Sequence, residues 1–473
     1  MVKLALPAGD LRSPLAAVLD SAGLKVDGYG EGSRSYVLGA GGREDVVARV
    51  FREKDIPIQI ALGNYDVGVC SLAWIEELRA RYPRQPIVPL RDLGVGASVL
   101  WVAAAAGSGL TLDSLGGRRG LRIASEYPNL AETFALAARL PAYRVRPVWG
   151  AAEAYPPEDA DLAAIMAPDE AAVAEHGLTP LHALLDSSAW LVANAGALAR
   201  KDLGAVLGPL ASGASNGATP RLRLPPPSRG APRNGVPAPA RDTLRLAIPD
   251  GHQQRHAAGA LEAAGLFPKS GYEPSAPARR PESPLDGVEI KVVRPHDMPQ
   301  LVATGEMDIA ITGRDCLTEH LSRFPASPVE EVADLSRGHY NLAAVVSQDV
   351  PAGDIHAALF HWRGAGRTVI RVASEFPGIA DSYARSRQLG RYQVIPIAGA
   401  SEGFVPADAE LLIEGTETGR TLVENNLKPI DLLFRSTTCV VAAKGRELTG
   451  RRRELLDEVV SALRRSADAA PAV

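Results

Sequence analysis

The chain repeats itself. "LALPAG" at 4–9 returns as "LAIPDG" at 246–251, 242 residues later. The same offset lays "REKDIPIQIALGNYDVGV" (52–69) on "RPHDMPQLVATGEMDIAI" (294–311), so Arg52 meets Arg294, Asp55 meets Asp297 and Gly63 meets Gly305. Farther along the offset is 249, with "RIASEYPN" (122–129) on "RVASEFPG" (371–378) and Tyr143 and Pro147 on Tyr392 and Pro396. A gain of seven residues in one loop accounts for the change. Each unit has about 200 residues, which makes it a duplicated domain and not a solenoid repeat of 20 to 50 residues. The fold must therefore be one that such a unit can form by itself, twice.

The expected division is a domain at 1–208, a linker at 209–242 and a second domain at 243–465. The linker holds eight prolines and four glycines in 34 positions, a composition that cannot build a core. The tail "RRRELLDEVVSALRRSA" reads as an amphipathic helix whose Arg451–Arg453 run faces solvent. Within each unit short apolar runs such as "LRLAIP", "MDIAIT" and "AELLIEG" alternate with helical stretches. That alternation predicts an α/β fold with largely parallel sheets, whose ligands sit in loops at the carboxyl ends of strands.

The bulk properties exclude several classes. With 473 residues, 46% hydrophobic and 22% charged, the chain is long enough for two cored domains. A net charge of −4 argues against a general nucleic-acid binder. Cys70, Cys316 and Cys439 are far apart and show no metal-ligand spacing, so buried thiols in a reducing compartment are expected. The N-terminus lacks the apolar run of a signal peptide, and "VLWVAAAAG" at 99–107 is too short to span a bilayer. A cytoplasmic protein without membrane contact is the expectation. His252, His256 and His320 show no triad or metal spacing and read as surface or capping residues.

The densest chemistry lies in "EGTETGRTLVENNL" (414–427), a strand-to-helix corner. Backbone N–H groups around Thr418, Gly419, Arg420 and Thr421, the threonine hydroxyls and the Arg420 charge suit a phosphate. Glu414 and Glu417 suit a sugar diol. A capped helix with a solvated acidic turn is the alternative. The duplication bears on the choice, because the aligned front segment is "IMAPDEAAVAEHGL" (165–178). There Glu414 becomes Ile165, Gly419 becomes Glu170 and Thr421 becomes Ala172 while the flanks still align. The pattern favours a ligand site in the rear copy alone.

These motifs resemble ATP phosphoribosyltransferase. The corner is similar to that family's loop for phosphoribosyl diphosphate (PRPP), and "RPHDMP…GEMDIAITGRDCLTEH", "VASEFP" and "GASEGFVP" resemble further family segments in order across 244–445. The front copy resembles the family from 3 to about 200, without the loop. The resemblance implies two α/β lobes around a cleft in each copy, like type II periplasmic binding proteins. It implies transfer of phosphoribosyl from PRPP to N1 of ATP, with Mg²⁺, as the first step of histidine biosynthesis. The likeness is to the short form, which leaves room for a separate regulatory subunit.

On that resemblance Glu414 and Glu417 would hold the ribose diol and metal, and Thr418, Gly419, Arg420 and Thr421 the 5-phosphate. Arg294 would face the diphosphate or the ATP phosphates, with Asp315 and Glu402 as further cleft candidates. The plainer alternatives are a surface ion pair for Arg294, a helix N-cap for Asp315 and a loop carboxylate for Glu402. The family's P-K-G-R segment has lost both cations, reading Pro7-Ala8-Gly9-Asp10 and Pro249-Asp250-Gly251-His252. The front copy keeps Arg34 and Arg52, which suggests a pseudo-dimer in which it contributes these arginines to the rear cleft. The lost cations support an alternative, a non-catalytic regulatory protein that binds PRPP or a nucleotide.

Overall fold

The structure is a computed structural model that describes residues 1–30, 37–40, 43–211, 221–228, 242–274, 277–417, 419–444, 448 and 450–468. Arg34 and Thr418 lie outside the described residues.

Four sheets form, two from each copy. In the front copy, lobe 1 centres on Val2–Pro7, flanked by Arg43–Phe51 and Val67–Ser71, and lobe 2 on Leu162–Ala167 between Ser98–Ala105 and Leu121–Ser125. The rear copy repeats this with Leu244–Pro249 at the centre of lobe 1 and Leu411–Thr416 at the centre of lobe 2. Central strands such as Leu244–Pro249 are buried at every position, as expected where both faces are covered.

The sheets are mixed, not largely parallel. Leu244–Pro249 runs parallel to both neighbours, whereas Thr438–Ala443 is antiparallel to Ile309–Gly313 and to Val329–Asp334. The cause is the path of the chain. It leaves rear lobe 1 through Val329–Asp334 into Tyr340–Ser347 of lobe 2, and returns through Leu427–Ser436 into Thr438–Ala443. A strand re-entering from the other lobe has no helical crossover to force it parallel.

Each copy places its lobe 1 against lobe 2 of the other. Asp55 accepts a hydrogen bond from Ala398 N at 2.9 Å, and its counterpart Asp297 accepts one from Trp149 N at 3.1 Å. Burial pushes both carboxyls up to about 7. On one side of the seam Arg245 grips Asp159 with two 2.8 Å bonds and Lys291 reaches it at 2.7 Å. On the other, Tyr65 takes the place of that ion pair. The contact is isologous in outline, as in a two-fold dimer, with different side chains in the two halves.

Two details depart from expectation. Arg452 does not face solvent: it pairs with buried Asp308 at 2.6 Å, anchoring helix Arg451–Asp468 to rear lobe 1. His320 is buried, 2.7 Å from Ser327 Oγ. All three cysteines are buried thiols.

Candidate functional site

Strand Leu411–Thr416 is buried through Ile413 and then emerges, so Glu414 is the first side chain to leave the core. Gly415 is required here, because a Cβ would stand 2.6 Å from the Tyr340 ring. Gly419 has φ 71° and donates to Thr416 Oγ1 at 2.9 Å, closing the corner before helix Arg420–Glu424.

Glu414 is held by Ser401 Oγ and by Gly415 N, the latter at 2.9 Å. Burial, reinforced by the charges of Glu375 and Glu402, holds its carboxyl well above the usual range. Burial also raises Glu375 and Glu402. The first of these is pulled back by Arg52 and Lys54, both from the front copy. Glu402 accepts from Ser401 Oγ at 3.3 Å. Asp315 is buried at the second position of helix Arg314–Arg323 and accepts from Ser436 Oγ at 2.9 Å; Gly313, not Asp315, is the N-cap.

The outer part of the corner is tied up differently. Glu417 is exposed and paired with Arg255 at 2.9 Å, and Arg420 reaches Glu424 at 2.8 Å along its own helix. Thr421 is half-buried beside it.

The two family-like arginines cross the seam in opposite directions. A Cβ on Gly399 of rear lobe 2 would meet Arg52 Nε at 2.7 Å and Glu375 Oε1 at 2.9 Å. A Cβ on Gly150 of front lobe 2 would meet Arg294 Nε at 2.6 Å. Arg52 is thus brought to the rear copy's carboxylates, while Arg294 lies against the front copy. Arg294 is paired with Asp250 at 3.1 Å, and Asp250 also binds Arg279 at 2.7 Å. Asp250 thus engages both Arg279 and Arg294, and Arg279 also pairs with Glu153 of the front copy at 2.8 Å.

One cavity of about 690 Å³ joins the two clefts, lined by Arg52, Lys54 and Trp149 from the front and by Asp315, Glu375 and Glu414 from the rear, among others. A column of rings stands in it. Trp149 stacks on His296 at 4.2 Å, His296 on Phe376 at 5.5 Å, and Lys54 Nζ lies 4.4 Å from the Trp149 ring centre. Burial lowers His296 to about 4, leaving its ring neutral. Sequence reasoning missed Lys54, Glu375 and this column. Glu375 stood inside the "VASEFP" match, and Lys54 inside the aligned segment where the rear copy has His296.

At the corresponding front position Ile165 is buried, Ala73 stands for Asp315, and Trp74 packs on Tyr127 at 4.3 Å. Apolar side chains fill what in the rear copy is a polar corner. Among the described residues no three His, Cys, Asp or Glu side chains converge to hold a metal ion, and no helix is long and apolar enough to cross a membrane.

The family model of ATP phosphoribosyltransferase (HisG) matches residues 52–210 and again 294–465. The ATP phosphoribosyltransferase of Moorella thermoacetica is 30% identical over 239 residues, 47% of this chain and 93% of that protein. The one from Rubrobacter xylanophilus is 34% identical over 204 residues, 43% of this chain and 87% of that protein. Among solved structures, the ATP phosphoribosyl transferase (HisG:HisZ) complex from Thermotoga maritima aligns with 48% of this chain and 100% of that one, at 23% identity and a TM-score of 0.38. The periplasmic domain of BvgS from B. pertussis aligns with 99% of this chain and 88% of that one, at 12% identity and a TM-score of 0.29. With the family model matched in both copies, the chain belongs to the ATP phosphoribosyltransferase family.

Proposed function

We infer that the protein transfers phosphoribosyl from PRPP to N1 of ATP, through one site formed by the rear copy and completed by the front copy. The carrying observation is that Glu414, Gly415 and Glu417 of the corner line a cavity of about 690 Å³ that Arg52 and Lys54 line from the other copy. In this reading Glu414 and Glu417 hold the ribose diol, and Thr418, Gly419, Arg420 and Thr421 hold the 5-phosphate. The N1–C1′ bond forms as the C1′–oxygen bond to diphosphate breaks. Negative charge then builds on the leaving group, where fixed cations lower the barrier. Arg52 and Lys54 are the cations on the rear side, and Arg294, occupied by Asp250, is the weaker candidate.

Among the described residues no three ligands converge on a metal ion, so a Mg²⁺ would be held by the substrate phosphates with no more than one or two carboxylates, Glu414 and Glu417 being the candidates. The ion belongs with the diphosphate of the substrate, and no step here is routed through it. The division at 1–208, 209–242 and 243–465, a cytoplasmic setting, a place at the first step of histidine biosynthesis and a separate regulatory subunit are parts of the same proposal.

The test is purified protein with PRPP, ATP and Mg²⁺, followed for phosphoribosyl-ATP and diphosphate. PRPP binding without product selects the second reading, a non-catalytic binding protein. Its specific support is Asp250, which stands where a family cation would and pairs with both Arg279 and Arg294.

A further inference from the structure

The two copies differ in what covers the outer edge of lobe 2. In the front copy the edge strand is Leu178–Ser187, and segment 221–228 of the chain lies along it. Arg223 N donates to Leu184 O at 2.8 Å, Arg223 pairs with Asp186, and Leu222 packs against the core. Ser228 N then donates to Ala138 O at 3.0 Å, with Ser228 seated on Gly116. Leu184 is one of two residues, with Leu181, skipped by the ladder to Ser98–Ala105, which leaves its carbonyl to an outside donor.

The rear edge strand Leu427–Ser436 has the same irregularity at the same place, since the ladder skips Leu433, the counterpart of Leu184. Among the described residues nothing pairs with its outer side. Consequently Leu184 and Leu185 are fully buried, while Leu433 and Phe434 are only partly buried and Leu432 is 49% exposed. Where Ser228 docks in front, against Ala138, the rear copy has Arg387. Arg387 lines an open groove of about 410 Å³ with Arg363 and Phe360, the latter 83% exposed. The charge is reversed as well, because Asp186, which meets Arg223 in front, is replaced by exposed Arg435.

We propose that the outer edge of Leu427–Ser436, with the groove at Phe360, Arg363 and Arg387, binds an extended segment of another polypeptide by strand addition. Its occupant carries a leucine-type side chain followed by an acid, the complement of Arg435 where segment 221–228 carries the complement of Asp186. Unpaired edges accept such strands through main-chain bonds, with side-chain pockets setting the preference. The inference does not depend on the phosphoribosyl reading.

The probe is a fluorescent octapeptide of residues 221–228 carrying Arg223→Glu, titrated with the full-length chain and read by anisotropy. It is expected to bind about threefold to fivefold more tightly than the unsubstituted octapeptide, the range of one exposed charge pair. Arg435→Glu is expected to reverse that order, and Leu432→Asp to weaken both about tenfold or more, as for a central apolar anchor. Both substitutions are at exposed positions, and a urea midpoint confirms that each variant folds. Failure of both peptides to bind, or a preference unaltered by Arg435→Glu, overturns the proposal. So does self-association of the native chain that Leu432→Asp abolishes, because a second copy would then be the occupant.

Discussion

Tyr65 of front lobe 1 donates its phenol hydrogen to Asp408 of rear lobe 2 across 2.7 Å. Both groups are buried, so the bond has no water to replace it. Tyr65→Phe keeps the ring that packs edge-on against Phe51 at 5.0 Å and removes only the donor. A loss of about 1–3 kcal/mol in unfolding free energy is expected, the cost of a buried acceptor left without its partner. Urea denaturation of the full chain measures it.

Asp159 presents the larger case on the opposite side of the seam. It is 1% exposed and shared between Arg245 and Lys291. Asp159→Ala strands buried Arg245 and leaves Lys291 with Glu158 alone, 3.0 Å away, and a destabilisation of about 3–5 kcal/mol is expected. Arg245→Met combined with Asp159→Ala is expected to recover part of that loss, and denaturation of the double variant decides.

The corner predicts an asymmetry between the copies. Glu414→Ala is expected to weaken PRPP binding about tenfold or more, as for the loss of a half-buried acceptor proposed to meet a ligand hydroxyl. Glu170→Ala, in the aligned front segment, should leave binding as it was. Calorimetry with PRPP and Mg²⁺ distinguishes the two, and equal effects would remove the reason to assign the site to the rear copy.

The crossing arginines yield a second kinetic contrast. Arg52→Ala is expected to lower turnover about a hundredfold, in the range of a lost electrostatic stabiliser. Arg294→Ala, whose guanidinium is taken up by Asp250, is expected to cost less. A larger effect at Arg294 would return the leaving-group role to the rear copy's own arginine.

The contribution of Asp297 to stability should fall as pH rises. The Asp297 carboxyl is raised from 3.8 to about 7 by burial. Between those values the folded chain holds a proton that the unfolded chain has released, so this group stabilises at low pH and loses that contribution as pH climbs through 7. Asp297→Asn retains an acceptor for Trp149 N and cannot ionise. The difference in urea midpoint between variant and native protein is expected to shift in the variant's favour from pH 4.5 to 7.5.

The duplication and the corner were legible because both are local. Matching segments share an offset, and a strand that ends in Glu414-Gly415-Thr416 followed by Gly419 dictates its own turn. The strand directions were not legible, since Thr438–Ala443 acquires its neighbours only after the chain has visited the other lobe. Nor was the crossing of Arg294 to the front copy, although that of Arg52 to the rear cleft was expected from the duplication. Sequence assigns each arginine to its copy, but the lobe it touches follows from the way the copies pack, which depends on buried groups as unlike as Tyr65 and Arg245. Lys54 was hidden within the best-matched stretch, where His296 replaces it.

Because the two halves of the seam are carried on one polypeptide, their encounter is a ring closure and not a collision between molecules. Specific activity should consequently hold constant as the protein is thinned to nanomolar levels, conditions under which a pair of separate subunits would drift apart.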